Sequence, residues 1–227
     1  MKRRAILLGC LSVALVACSL TQQAPLKSPS THSGLVDYAI LSPGAEGQAQ
    51  LRYINPAARW TQYHKLIIEP VTYWADENST NISAQDQRAL CDFFSQALQQ
   101  QFSQKFEIVS APGPGVMRLQ VALIDAEAAT PVLRTVSMLV PQVRVLATLK
   151  YVAVGTYPFI GGAQVEAKLT DSQTGTILGE WADRRLGGGS PQAAVQWQWG
   201  DAENAITQWA TASATRLASW TSGNATP

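Results

Sequence analysis

Between Leu90 and Leu123 the apolar residues change their period, and this change restricts the chain to few architectures. Leu90, Phe94, Leu98 and Phe102 recur every four residues, with Cys91 and Ala97 beside them and a Gln-rich side opposite. A helix brings such positions onto one face. Soon afterwards Met117, Leu119, Val121 and Leu123 alternate with Arg118 and Gln120, the period of a strand with one wetter face. A helix with one apolar stripe and a strand with one apolar face each need a partner to bury against, so together they predict helices packed on a sheet. Ser83 to Asp86 resembles a capping box and predicts that the helix runs from about residue 84 to 105.

Other stretches extend the pattern. Asn55-Pro56 marks a turn, and Lys65 to Glu69 is a short β-branched run expected to be a buried strand that Pro70 ends. A brief strand is expected over 106–109, then a turn at Pro112-Gly113-Pro114-Gly115. Val165, Ala167 and Leu169 alternate on one arm of a predicted hairpin, and Ile177, Gly179 and Trp181 on the other, with turn residues from Asp171 to Gly175. Ala205, Ile206, Trp209, Ser213, Leu217 and Trp220 predict a second amphipathic helix after Asp201. The expected fold class is α+β: one antiparallel-rich sheet with two main amphipathic helices on one face, in a single domain over residues 34–227.

The amino terminus obeys a different logic. Met1-Lys2-Arg3-Arg4 is followed by an apolar run from Ala5 to Ala17. Those 13 residues fall short of the roughly 20 that a membrane-spanning helix needs. A basic start, a short apolar core and a small residue before the cut describe a secretory signal. Leu15-Val16-Ala17-Cys18 resembles the lipobox of bacterial lipoproteins, in which the cysteine is acylated and the chain is cut before it. Residues 1–17 are therefore expected to be a signal peptide and Cys18 the lipid attachment site. Ser19, where aspartate would favour the inner membrane, points by the same resemblance to the outer membrane, with the domain in the periplasm. Residues 18–33 are polar, contain two prolines and have no apolar periodicity, and are expected to be a lipidated flexible tether.

Removing the signal changes the balance of charge. Of 17 basic residues 14 remain, against 16 acidic, so the mature chain carries a net charge near −2. Nucleic acid is not an expected partner, because phosphate binding calls for a basic surface. Cys10 leaves with the signal and Cys18 carries lipid, so Cys91 is the remaining thiol and no internal disulfide or cysteine-based metal site can form. Between Leu90 and Phe94 on the expected helix, Cys91 reads as a small buried apolar residue rather than a nucleophile.

Four motifs carry a family resemblance: Ser33-Gly34-Leu35 with Asp37-Tyr38; Leu51-Arg52-Tyr53-Ile54-Asn55-Pro56; Tyr63-His64-Lys65 running into Glu69-Pro70-Val71; and Asp171 with Thr174-Gly175. Together they resemble the bacterial lipoprotein family called domain of unknown function 3313, over roughly residues 33–185. The resemblance carries no catalytic residue over to this chain.

Motifs of known chemistry are not completed. There is no Gly-x-Ser-x-Gly elbow. His32 and His64 lie too far apart in sequence for the two-histidine helix of a zinc protease. Gly187-Gly188-Gly189-Ser190 lacks the Lys-Ser/Thr of a phosphate loop and reads as a flexible loop. Asp76-Glu77, and Asp125 with Glu127, can be drawn as an acid and base, but no pattern links them and they read as solvated carboxylates. His64, at a strand entrance, reads as a packed or surface histidine. No cofactor, no metal and no catalytic residue is expected.

Two features suit binding better than catalysis. Residues 131–154 are apolar with Arg134, Arg144 and Lys150 as the only charges, and would serve either as core or as an exposed apolar surface. Trp197 and Trp199 alternate with glutamines, as partner-binding rings or as core. The reading is a non-enzymatic, outer-membrane-anchored lipoprotein whose periplasmic domain is a structural or interaction module, such as an accessory subunit of an envelope complex. Its expected partners are the membrane, through the acyl anchor, and an envelope protein. The alternative is a cell-wall glycan-binding or glycan-modifying protein with Trp197 and Trp199 at the site.

Overall fold

The computed structural model describes residues 21–27, 33–74, 82–128, 161–187 and 199–227. Among these residues nine strands form a single sheet. They are β1 (Thr21–Gln23), β2 (Ser42–Pro43), β3 (Leu51–Ile54), β4 (Lys65–Ile68), β5 (Thr72–Tyr73), β6 (Glu107–Ile108), β7 (Val116–Glu127), β8 (Gly162–Asp171) and β9 (Ile177–Gly187). Two long helices, α1 (Ala84–Phe102) and α2 (Gly200–Thr221), pack against each other and against one face of the sheet. The α+β class expected from the periodicity is the one observed.

The sheet is mixed rather than antiparallel-rich. Its order is β2-β3-β9-β8-β7-β4-β6, with β1 also paired to β9 and β5 to β7. The long central strands β7, β8 and β9 form an antiparallel meander, but β4 and β5 run parallel to β7 and β4 runs parallel to β6. The cause is α1. A helix inserted between β5 and β6 carries the chain back to the end from which it started, so the next strand runs parallel.

The capping signal holds at the start of α1. Ser83 Oγ accepts from the Asp86 backbone N–H at 3.1 Å, as the capping pattern predicts. Asp86 answers through its side chain, accepting from the Ser83 hydroxyl at 2.8 Å. Leu90, Phe94, Leu98 and Phe102 are all buried. The helix ends at Phe102 rather than near 105, where the chain turns and Phe106 packs back on Phe102, the rings tilted with centroids 6.0 Å apart. In α2 the alanines at 202, 205, 210 and 214 take the core face with Ile206, Leu217 and Trp220, whereas Ser213 is exposed and donates to the Trp209 carbonyl.

The expected tether needs correction over residues 21–27. Thr21–Gln23 is a strand, antiparallel to Arg185–Gly187, and Ala24 N–H continues the pairing onto the Arg184 carbonyl at 2.9 Å. This segment has no apolar period, but strand addition needs only main-chain donors and acceptors, and the edge of β9 supplies them. The apolar stretch 131–154 lies outside the described residues, as do Asp76, Glu77 and residues 188–190 of the glycine run.

Candidate functional site

Alternation along β8 and β9 sends two sets of side chains to opposite faces of the sheet. Val165 and Asp183 face the helices as a cross-strand pair, while Glu166, Lys168, Glu180 and Arg184 face away from them. Carboxylates on both faces are bonded by the amino-terminal part of the chain.

On the face away from the helices, Glu166 and Glu180 are 0% exposed. Glu166 accepts from the Ser33 hydroxyl and from the Tyr38 hydroxyl at 2.9 Å. Glu180 accepts from the Asp37 backbone N–H at 2.9 Å and pairs with Lys168 at 2.9 Å. The Ser33…Asp37-Tyr38 motif is thus a strap, fixed by two buried carboxylates. Burial first, and then the Glu166 charge, pushes the Tyr38 phenol up and keeps it a donor.

The same face carries an ion network beside the strap. Lys27 pairs with Asp125 and with Glu127 at 2.7 Å, and its backbone N–H donates to Gln164 Oε1 at 2.8 Å. Arg184 joins them, donating to Glu127 at 2.7 Å and to the Pro25 carbonyl at 3.0 Å. Asp125 and Glu127 are therefore not the solvated carboxylates expected. A cation from the presumed tether neutralises them, and no local pattern announces a partner about 100 positions away in sequence.

Burial alone would raise the Glu127 carboxyl, but Arg184 and Lys27 outweigh it and hold it below its ordinary value. Lys27 is raised: burial opposes its charge, and Asp125 and Glu127 more than compensate. A carboxyl depressed by folding stabilises the fold above the unfolded carboxylate range, and that contribution is lost as pH falls through the folded value. The lysine contribution has the opposite sign and is lost as pH rises through its raised value. Hydrogen exchange at the β1 amides should therefore accelerate relative to the β8 amides on acidification from about pH 7 to about pH 3, once corrected for intrinsic rates. Unchanged relative protection across that range would show that this network does not hold the segment.

Toward the helices, Asp183 is 2% exposed and ties four elements together. Its Oδ1 accepts from Gln23 Nε2 at 2.6 Å and from the Gln50 backbone N–H at 3.0 Å. Its Oδ2 accepts from Trp209 Nε1 at 2.8 Å and from Arg185 Nε at 3.1 Å. One carboxylate thus joins β1, the turn before β3, β9 and α2. A sequence signal for it existed: Asp183 continues the Ile177, Gly179, Trp181 alternation, so it places a charge on an apolar face.

The remaining motif residues are also joints. Asn55 donates to the Ile177 carbonyl at 2.8 Å and accepts from the Ala57 N–H at 2.9 Å. Tyr63 donates to Asp171 Oδ2 at 3.0 Å, while Asp171 Oδ1 accepts from the Gln173 and Thr174 amides at 3.0 and 2.8 Å. Gly175 at φ 71° completes that turn in a conformation that favours glycine. His64 is exposed, with Nδ1 3.2 Å from the Gln62 carbonyl. Burial first, and then Asp92, pushes the Cys91 thiol up to about 11, so it is protonated at neutral pH.

Trp199 is not an interface ring. It lies 2% exposed at the start of α2, within the core, and its indole N–H has no hydrogen-bond partner among the described residues. Helix initiation at Gly200 turns this end of the glutamine-tryptophan run inward. Cys18 and Trp197 lie outside the described residues. A cavity of about 130 Å³ between sheet and helices is lined by Phe94, Val165, Trp181, Trp209, Leu217 and Trp220 among others. That is the size of a single aromatic ring in an apolar setting, too small for a sugar chain. Among the described residues no group of three or more His, Cys, Asp or Glu side chains is arranged to hold a metal, and no helix is long and apolar enough to cross a membrane.

A family model described as a protein of unknown function (DUF3313) matches residues 31–213. No curated protein matches the chain. Among solved structures, the PelC dodecamer from Paraburkholderia phytofirmans is similar at 11% identity and a TM-score of 0.38, covering 71% of this chain and 95% of that one. XCC0632 from Xanthomonas campestris is similar at 16% identity and a TM-score of 0.39, covering 75% of this chain and 91% of that one. Likenesses of this size carry no functional argument.

Proposed function

The chain belongs to the DUF3313 family of proteins of unknown function, and we propose that it is a bacterial lipoprotein, acylated at Cys18, whose folded domain is a non-enzymatic structural or interaction module of the cell envelope. The observation that carries this reading is Leu15-Val16-Ala17-Cys18 at the end of a 13-residue apolar run behind three cations. Ser19 supports the outer membrane as destination, with the domain in the periplasm; its proposed role there is that of an accessory subunit of an envelope complex. One acyl chain holds a protein only marginally, whereas two or three anchor it stably, at about 0.8 kcal/mol for each buried methylene.

The chemistry of the described carboxylates supports a structural role. Glu166, Glu180, Asp183 and Glu127 are each engaged by donors that fix the amino-terminal segment to the sheet. The glycan alternative required Trp197 and Trp199 at an open site, and the burial of Trp199 removes half of that pair.

Cys18→Ser is expected to abolish incorporation of a fatty-acid analogue and to leave uncleaved precursor or, after alternative cleavage, soluble protein. Continued labelling of the Cys18→Ser chain would overturn the lipoprotein reading. Crosslinking in cells from the anchored protein, followed by mass spectrometry, identifies the envelope partner.

A further inference from the structure

We propose that the sheet end bearing Thr21, Gly187 and the start of α2 faces the lipid headgroups at close range, and that the β8–β9 turn points away from the membrane. This inference rests on the acylation of Cys18 proposed above.

Its basis is covalent reach. β1 begins at Thr21, three residues beyond Cys18. Three fully extended residues span at most about 11 Å. A flexible tether over residues 18–33 would instead give an average reach of about 20–24 Å and would leave the domain free to tumble. The short span cannot lengthen without unzipping β1, which is held at several points. Thr21 is 1% exposed, and its hydroxyl donates to Gln208 on α2. Gln23 is bonded to the buried Asp183, and Lys27 is bound in the Asp125–Glu127–Arg184 network.

Two independent elements define the axis. Along the sheet, Thr21 pairs with Gly187, whereas the turn at Gln173 lies beyond the far end of β8, nine residue steps or about 30 Å from Gly162. Along α2, Asp201 Oδ2 accepts from the Gly161 N–H at 2.9 Å, and a Cβ at Gly187 would collide with the same carboxylate, so the helix starts at the Thr21 end. Its last turn places Trp220 at 5.1 Å from Trp60, at the other end. Both elements run away from the anchor.

The test uses the acylated chain on a Cys91→Ser background, with one fluorophore at Thr207→Cys or at Gln173→Cys. Both positions are exposed, the first beside Gln208 and the second at the distal turn. The protein is reconstituted into phosphatidylethanolamine–phosphatidylglycerol vesicles carrying an energy acceptor on the headgroups. Transfer from Thr207→Cys is expected to exceed that from Gln173→Cys severalfold. Equal or reversed transfer would overturn the orientation. A 20-residue Gly/Ser insertion between Ser19 and Leu20, with a flexible reach of about 25 Å, is expected to erase the difference. If the bias survives the insertion, the surface itself rather than the short span holds the domain, and the covalent-reach basis of the proposal is overturned. Mass spectrometry of the same preparation separates the two readings, because an unmodified Cys18 would overturn the lipoprotein assignment itself.

Discussion

Asp183→Ala is expected to destabilise the domain by roughly 3–5 kcal/mol, the usual cost of removing one partner from a buried charged network. The carboxylate is 2% exposed and satisfies donors from Gln23, Gln50, Arg185 and Trp209. Alanine would leave the Arg185 guanidinium and three further donors facing a void. Asp183→Asn keeps an acceptor for some of these donors but gives up the charge, so a smaller loss of about 1–3 kcal/mol is expected. Urea denaturation of the soluble domain measures both through the shift in midpoint. An alanine variant within about 1 kcal/mol of the parent would show that the four contacts are incidental. Because Gln23 is one of the four, the alanine variant should also speed hydrogen exchange at β1 before global unfolding.

Phe94→Ala is the second large effect, at roughly 3–5 kcal/mol. Phe94 is 2% exposed, lies in the middle of the α1 stripe and stacks on Trp209 of α2 at 6.2 Å between ring centroids. The substitution removes an aromatic ring from the seam between the two helices, next to an existing cavity of about 130 Å³ that the void would enlarge. Gln100→Ala on the exposed side of the same helix should be nearly neutral, within about 0.5 kcal/mol. Equal melting temperatures for the two variants would contradict the burial of the stripe. Against a total stability of about 5–15 kcal/mol for a domain, either large loss leaves little margin.

These two residues mark the boundary of what the sequence makes visible. Phe94 was legible because its role is periodic: the four-residue spacing of Leu90, Phe94, Leu98 and Phe102 is a property of neighbours in the chain. The same holds for Ser83 as a cap, for the β7 alternation, and for the β8–β9 hairpin with its Asp171 turn. The family motifs were visible too, as strings, though their work was not. Ser33 and Tyr38 find Glu166 more than 120 positions away, and Tyr63 finds Asp171 more than 100 away.

The helices, the central strands, the α1 cap, the turns and the apolar run before Cys18 were all legible in the chain. Each of these depends on residues within a few positions of one another, and short-range sterics and apolar period act at that range. Long-range packing set β4 and β5 parallel to β7, added Thr21–Gln23 to the edge of β9 and placed Trp199 in the core. The same packing ties Asp125, Glu127, Glu166 and Asp183 to the amino-terminal segment. One cause is common to all of them. Main-chain pairing at an open strand edge and the neutralisation of a buried carboxylate require a partner of the right kind in space, and neither leaves a periodic trace in the chain that supplies it.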